Sequence, residues 1–298
     1  MIHRRLWGHR SRRLSWQSRR HRRRVARLLI KGSRRLRLPL GSRSTSKILH
    51  LPCLLLLAPL IGIFSTATEA QDQGGPLSPA AACLGFKNGL SLGAPLASTK
   101  AKLRAGGTLT IVALGSSSTT GFGAFGAGTA FPDVMKRELS RLYPSARIEV
   151  INSGRILEDL GENIARIERD VLSYKPDLLV WQIGTNDVVW RGIADNAEEM
   201  LSESVKRIKA AKTDVVLLDL QYSPWVLANS RYIQMEKIIA DVADQQRVGH
   251  FPRFALMKRA IDAGVTGLVS WDGLHNSAQG YACVGIALAQ MINAAVRQ

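Results

Sequence analysis

After residue 70 the chain carries two histidines, His250 and His275. Only His275 has an acid within a short loop, Asp272, three residues before it. A carboxylate at that spacing can lie beside the imidazole, fix its tautomer and stabilise the imidazolium. His250 precedes Phe251-Pro252 and has no carboxylate close to it in sequence. A base oriented by an acid is half of a nucleophilic hydrolase, and the other half is a hydroxyl or thiol within hydrogen-bond reach. The stretch ALGSSSTTGFG, residues 113–123, offers a cluster of hydroxyls, Ser116 to Thr120, directly after an apolar run. Two further blocks could supply donors to a developing oxyanion, Asn152-Ser153-Gly154 and Gly184-Thr185-Asn186-Asp187. Each block alone reads as a turn or helix cap. Their joint occurrence, with Asp272-Gly273-Leu274-His275 last, points to one site.

These blocks need elements that bring them to one edge. TLTIVALG (108–115), ARIEVINSG (146–154), DLLVWQIG (177–184) and DVVLLDL (214–220) have the continuous apolarity and β-branched content of buried strands, and GHFPRFAL (249–256) is a weaker fifth. Helical spacing falls at 130–143, 162–174, 195–211, 230–246 and 277–296. Pro132 suits the first turn of the first of these. Strand–helix alternation over 108–298 predicts a single three-layer α/β/α domain with a mostly parallel sheet of about five strands. Ligands in such folds sit at the carboxyl ends of the strands, where all four blocks fall.

Charge separates this domain from what precedes it. Residues 1–70 hold 17 Lys or Arg and one acid, Glu69, whereas the other 228 residues hold 24 Lys or Arg and 22 acids. Of the +18 net charge, +16 therefore belongs to the leader and +2 to the rest, and the domain itself does not read as a nucleic-acid binder. The Arg-rich stretch, the apolar run Ile48–Phe64 and the small residues ending Thr68-Glu69-Ala70 predict a signal peptide cleaved after Ala70 and an exported, periplasmic or secreted protein. The alternative is a membrane anchor through 48–64, although two prolines and His50 suit a membrane span poorly. Residues 71–107, rich in Ala, Gly, Pro and Ser, read as a loosely packed linker. Cys83 and Cys283 are a possible disulfide in an exported chain, with two buried free thiols as the other reading.

Taken together, ALGSSSTTGFG, GTND and DGLHNSAQGY resemble the blocks of the SGNH (GDSL-type) esterase and lipase superfamily, over roughly residues 108–297. The resemblance implies a flavodoxin-like α/β/α fold, with Ser117 as nucleophile, His275 as base and Asp272 as the orienting acid. It implies an oxyanion hole from the N–H of Ser117, the N–H of Gly154 and the amide of Asn186. Asp187 then braces its loop. The first block departs from the family pattern, because relatives commonly carry Asp where this chain has Ser116. The triad acid comes from the last block, so the departure removes no triad member.

Other readings fit less well. An α/β-hydrolase elbow needs G-x-S-x-G, and Thr119 stands where the last glycine would be. No G-x-G-x-x-G opens a helix after the first strand and no P-loop lysine follows. No metal-ligand spacing is present and the chemistry needs no cofactor. The expected partner is a small-molecule or carbohydrate ester, hydrolysed through an acyl-enzyme. Trp190 and Trp225, on loops after the third and fourth strands, are candidates to line the acyl pocket or stack on a sugar. An O-acetyltransferase using the same acyl-enzyme and a non-catalytic binding module are the rival functions, and the oligomeric state stays open.

Overall fold

The computed structural model describes Gly85 and residues 87–298. The leader, its cleavage point and apolar run, and Cys83 lie outside the described residues. Five strands form one fully parallel sheet: β1 (Thr108–Gly115), β2 (Arg147–Gly154), β3 (Leu178–Gln182), β4 (Asp214–Leu218) and β5 (Gly249–Phe251). The spatial order is β2-β1-β3-β4-β5, a flavodoxin-like winding. Strand order reverses at β1, so the crevice between the ends of β1 and β3 is the place where such sheets bind ligands.

Alternation along the strands splits the interior in two. Leu109, Ile111, Leu178, Val180, Val216 and Leu218 face one layer; Val112, Leu114, Leu179, Trp181, Val215 and Leu217 face the other. The first layer receives α1 (Ala97–Arg104), α3 (Phe131–Leu142), α9 (Arg253–Asp262) and α10 (Ala278–Arg297). The second receives α4 (Leu160–Ile164), α5 (Ile167–Asp170), α6 (Ala197–Ala210), α7 (Pro224–Leu227) and α8 (Arg231–Gln246). A four-residue helix, α2 (Ser117–Thr120), caps the end of β1. The expected α/β/α architecture is the observed one.

Three stretches differ from expectation. The segment read as a loose linker packs into the core: Leu92, Leu96 and Leu103 are buried, and Thr99 gives both N–H and hydroxyl to Asp214 at 2.8 and 2.9 Å. Leu96 and Leu103 are two helical turns apart, so α1 puts both on the sheet side. The helix expected at 162–174 is broken into α4, α5 and a 3-10 turn (Leu172–Tyr174). Arg166 breaks it by leaving helical geometry and turning its guanidinium inward to Glu158, Ser153, Asp170 and the carbonyl of Gly115. The doubtful fifth strand stops at Phe251, and its second half is the start of α9.

Candidate active site

The end of β1 turns into α2 at Ser116, which places Ser117 at the first position of the helix. The first N–H groups of a helix have no partner within it, so the Ser117 N–H has none within α2. Ser117 is buried, and its Oγ lies 2.8 Å from His275 Nε2. His275 Nδ1 lies 2.6 Å from Asp272 Oδ2. Asp272 Oδ1 also accepts the backbone N–H groups of Leu274 and His275, at 3.0 and 2.9 Å. Burial pushes the Asp272 carboxyl upward, but the Leu274 N–H, the imidazole and the His275 N–H outweigh it and hold the carboxyl below its ordinary range. The acid is therefore ionised at neutral pH and accepts from Nδ1–H. That tautomer leaves Nε2 as the acceptor for the Ser117 hydroxyl.

The loop carrying His275 is tied to the Ser117 side. Ser270 N–H donates to His275 O at 2.7 Å and Ser270 Oγ to Gly123 O at 2.8 Å. A Cβ on Gly123 would stand 2.6 Å from His275 Cβ, so only glycine lets the two loops meet. The ring of Phe122 packs on the imidazole with centroids 4.7 Å apart. On the outer side, Trp225 Nε1 donates to Asp272 O at 3.0 Å and Trp225 N–H to Gly273 O at 3.3 Å. Trp225 also packs against Trp190 at a centroid distance of 5.3 Å, and both rings are half exposed.

The two expected oxyanion donors beside Ser117 are placed differently. Asn186 is buried just beyond β3, and one hydrogen of its amide goes to Glu158 O at 2.7 Å. Gly154 N–H is engaged by Asn152 Oδ1 at 3.0 Å, while Asn152 Nδ2 donates to Thr119 O at 2.7 Å. A Cβ at Gly154 would meet Thr120 N at 2.7 Å. In this structure Gly154 is thus a close-approach residue between β2 and α2, with its N–H already paired. The loop beyond it carries Leu157 at φ +68°, an exposed side chain in left-handed backbone just before Glu158. Asp187 accepts Leu160 N–H at 3.2 Å and braces its loop; burial above all, despite that bond, raises its pKa to about 6.

His250, set aside as base, pairs with buried Asp219 at 3.0 Å, away from Ser117's hydrogen bonds. Cys283 is buried on α10 and disulfide-bonded; its expected partner, Cys83, lies outside the described residues. No cluster of metal-ligating side chains occurs among the described residues. Two residues escaped the sequence reading. Gln182 Oε1 accepts Ser116 N–H, Ser116 Oγ–H and Thr119 Oγ1–H, at 3.0, 2.9 and 3.3 Å. Gln221 bonds Thr185, Arg253 and Leu274 O. The available signal was an amide at the end of each apolar strand run, because a buried polar side chain there must find partners.

The sequence model of the Non-GDSL lipase-like family matches residues 82–298. An acetylxylan esterase of Geobacillus stearothermophilus is 24% identical over 186 residues, spanning 56% of this chain and 83% of its own. Among solved structures, a two-domain esterase active on acetylated mannans, co-crystallised with mannopentaose, superposes with a TM-score of 0.61 at 20% identity over 72% of this chain. This chain spans 57% of that esterase. A lipase/acylhydrolase from Enterococcus faecalis gives 0.54 at 23% identity, over 62% of this chain and 96% of its own. These two likenesses show the shared fold. With a family match running from residue 82 to the last residue, this chain belongs to the Non-GDSL lipase-like family, within the SGNH hydrolase superfamily.

Proposed function

We propose that this protein is a serine esterase that removes acyl groups, acetyl first among them, from carbohydrate esters. The observation that carries the reading is the continuous chain from Ser117 Oγ through His275 to Asp272, at 2.8 and 2.6 Å. Ser117 Oγ attacks the ester carbonyl while His275 Nε2 takes its proton, and the resulting oxyanion is met by donors. Ser117 N–H and the second Asn186 amide hydrogen serve this role; Gly154 N–H joins them only when Asn152 releases it. The intermediate collapses, His275 returns the proton to the leaving alcohol, and an acyl-serine remains. A water deprotonated by His275 then attacks that acyl group, and release of the acid restores Ser117.

The preference for acetylated sugars rests on the relatives, an acetylxylan esterase and an esterase active on acetylated mannans, and on the Trp190–Trp225 pair beside the triad. Half-exposed indole faces bury the apolar face of a sugar ring well. The leader makes this an exported enzyme, with residues 1–70 removed and a catalytic domain in which α1 packs onto the sheet of residues 108–298.

Expressed from residue 71, the protein is expected to react with a fluorophosphonate probe and to hydrolyse p-nitrophenyl acetate, with both activities lost in Ser117→Ala. Labelling that survives in Ser117→Ala, or a wild type that neither labels nor hydrolyses any short ester, would remove this reading.

A further inference from the structure

We propose that Gln221 is a positioning residue that holds the oxyanion loop and the acid–base loop in one register. The inference rests on the proposed esterase reading and adds to it a residue that touches none of the reacting atoms. Gln221 lies just beyond β4 and is completely buried. Its Oε1 accepts the Thr185 hydroxyl and the Arg253 Nη2–H, both at 2.9 Å. Its Nε2 donates to the backbone carbonyl of Leu274 at 3.1 Å.

Each partner sits where a displacement would matter. Thr185 immediately precedes Asn186, so its hydroxyl reports the position of the loop that carries the oxyanion amide. Leu274 immediately precedes His275, and its own N–H is held by Asp272. Leu274 is therefore held at its N–H by the acid and at its carbonyl, in the peptide that leads into His275, by Gln221. Arg253, fully buried on α9, anchors the amide from below. The three loops come from positions 36 and 53 residues apart in sequence from Gln221 to its Thr185 and Leu274 partners, so no local element couples them.

The chemistry explains why the side chain is glutamine. Arginine only donates, and a main-chain carbonyl only accepts. The side chain between them must accept at one end and donate at the other. An ionised glutamate supplies the acceptor alone, and a methionine or leucine of similar length supplies neither. Losing either contact leaves a buried group unpaired, in a place where a small shift in geometry reduces the rate of an oriented reaction.

The decisive variant is Gln221→Glu, which keeps the acceptor for Thr185 and Arg253 and replaces the donor facing Leu274 O. It is expected to fold with a melting temperature lowered by several degrees, because the Leu274 carbonyl loses its buried donor. Its kcat on p-nitrophenyl acetate, per probe-titrated active site, is expected to fall at least about tenfold with KM within about twofold. The proton on His275 Nδ1, read by NMR in the free protein, is expected to shift or broaden. Thr185→Val, which removes one donor and disturbs folding less, is expected to lower kcat several-fold in the same pattern. Wild-type kcat and an unmoved His275 resonance in Gln221→Glu, or in Thr185→Val should Gln221→Glu not fold, would overturn the proposal. A wild type without esterase activity would fail the esterase reading by itself. The NMR comparison would still decide whether Gln221 sets the position of His275.

Discussion

Ser116 gives both its backbone N–H and its hydroxyl to a single atom, Oε1 of Gln182, at 3.0 and 2.9 Å. The pair joins the turn before Ser117 to the end of β3, and Thr119 adds a third donor at 3.3 Å. This is the position where the first block departs from the pattern of its superfamily. A hydroxyl fits because it donates; an aspartate there would set a carboxylate against the same acceptor oxygen. Ser116→Asp is accordingly expected to lose activity strongly, and Ser116→Ala only mildly, at about 1 kcal/mol of stability. Gln182→Leu strands the Ser116 N–H in the interior and is expected to cost about 1–3 kcal/mol. Denaturant titration of the three variants, with kcat on a short aryl ester, checks this order.

The two proposed oxyanion donors, Asn186 and Gly154, separate by their present engagement. Asn186→Ala removes the side-chain donor and is expected to lower kcat by about 100-fold or more, roughly 3 kcal/mol of barrier, with KM little changed. Gly154→Ala acts by a different route, because its new Cβ would stand 2.7 Å from Thr120 N and 3.0 Å from Thr119 C. It is expected to destabilise the fold by about 1–3 kcal/mol and to displace α2 with its serine. Melting curves beside steady-state kinetics distinguish a catalytic loss in the first variant from a packing loss in the second.

Trp225 has two jobs that substitutions can split. Its indole N–H holds Asp272 O at 3.0 Å, and its ring meets Trp190 at 5.3 Å. Trp225→Phe keeps a ring and loses the hydrogen bond, so kcat is expected to fall a few-fold on every ester. Trp225→Ala removes the ring as well. Its KM is expected to rise about tenfold on acetylated oligosaccharides, from the lost stacking, while KM on p-nitrophenyl acetate stays within about twofold. Equal KM changes on both substrates would remove the sugar-stacking role.

Asp187 sets a pH dependence of stability. Burial raises its pKa in the folded protein from 3.8 to about 6, so the folded state holds this proton more tightly than the unfolded chain. The unfavourable contribution begins as pH rises above 3.8, is complete above about 6, and amounts to about 3 kcal/mol. Asp187→Asn keeps an oxygen for Leu160 N–H and carries no charge. It is expected to exceed wild-type stability at pH 7.5 and to lose that advantage at pH 4. Unfolding free energies at the two pH values, in the same buffer ionic strength, test the sign.

Local pattern in the sequence determined the strands, their parallel winding between helices and the strand-end placement of the four blocks. Periodicity and apolar runs are properties of neighbouring residues, so β1 and the helix over Phe131–Leu142 were legible to within a residue or two. Asp272 and His275 were legible as a pair because three residues of loop suffice to join them. Other features depended on residues far apart in the chain and waited for the tertiary structure. Arg166 turned inward to four partners and broke the helix expected there. Asn152 reached across to Thr119 O on α2, which holds its amide where the oxygen captures the Gly154 N–H. Leu96 and Leu103 joined the core because α1 lies across the sheet, where a composition rich in small residues had suggested a loose linker. Gln182 gained its meaning only once folding set the Ser116–Thr119 turn against the end of β3, and Gln221 only once the Thr185 and Leu274 loops and Arg253 met around its amide. A hydrogen bond between residues 36 or 66 positions apart leaves no periodic trace in sequence, because its geometry is set by the packing of whole elements.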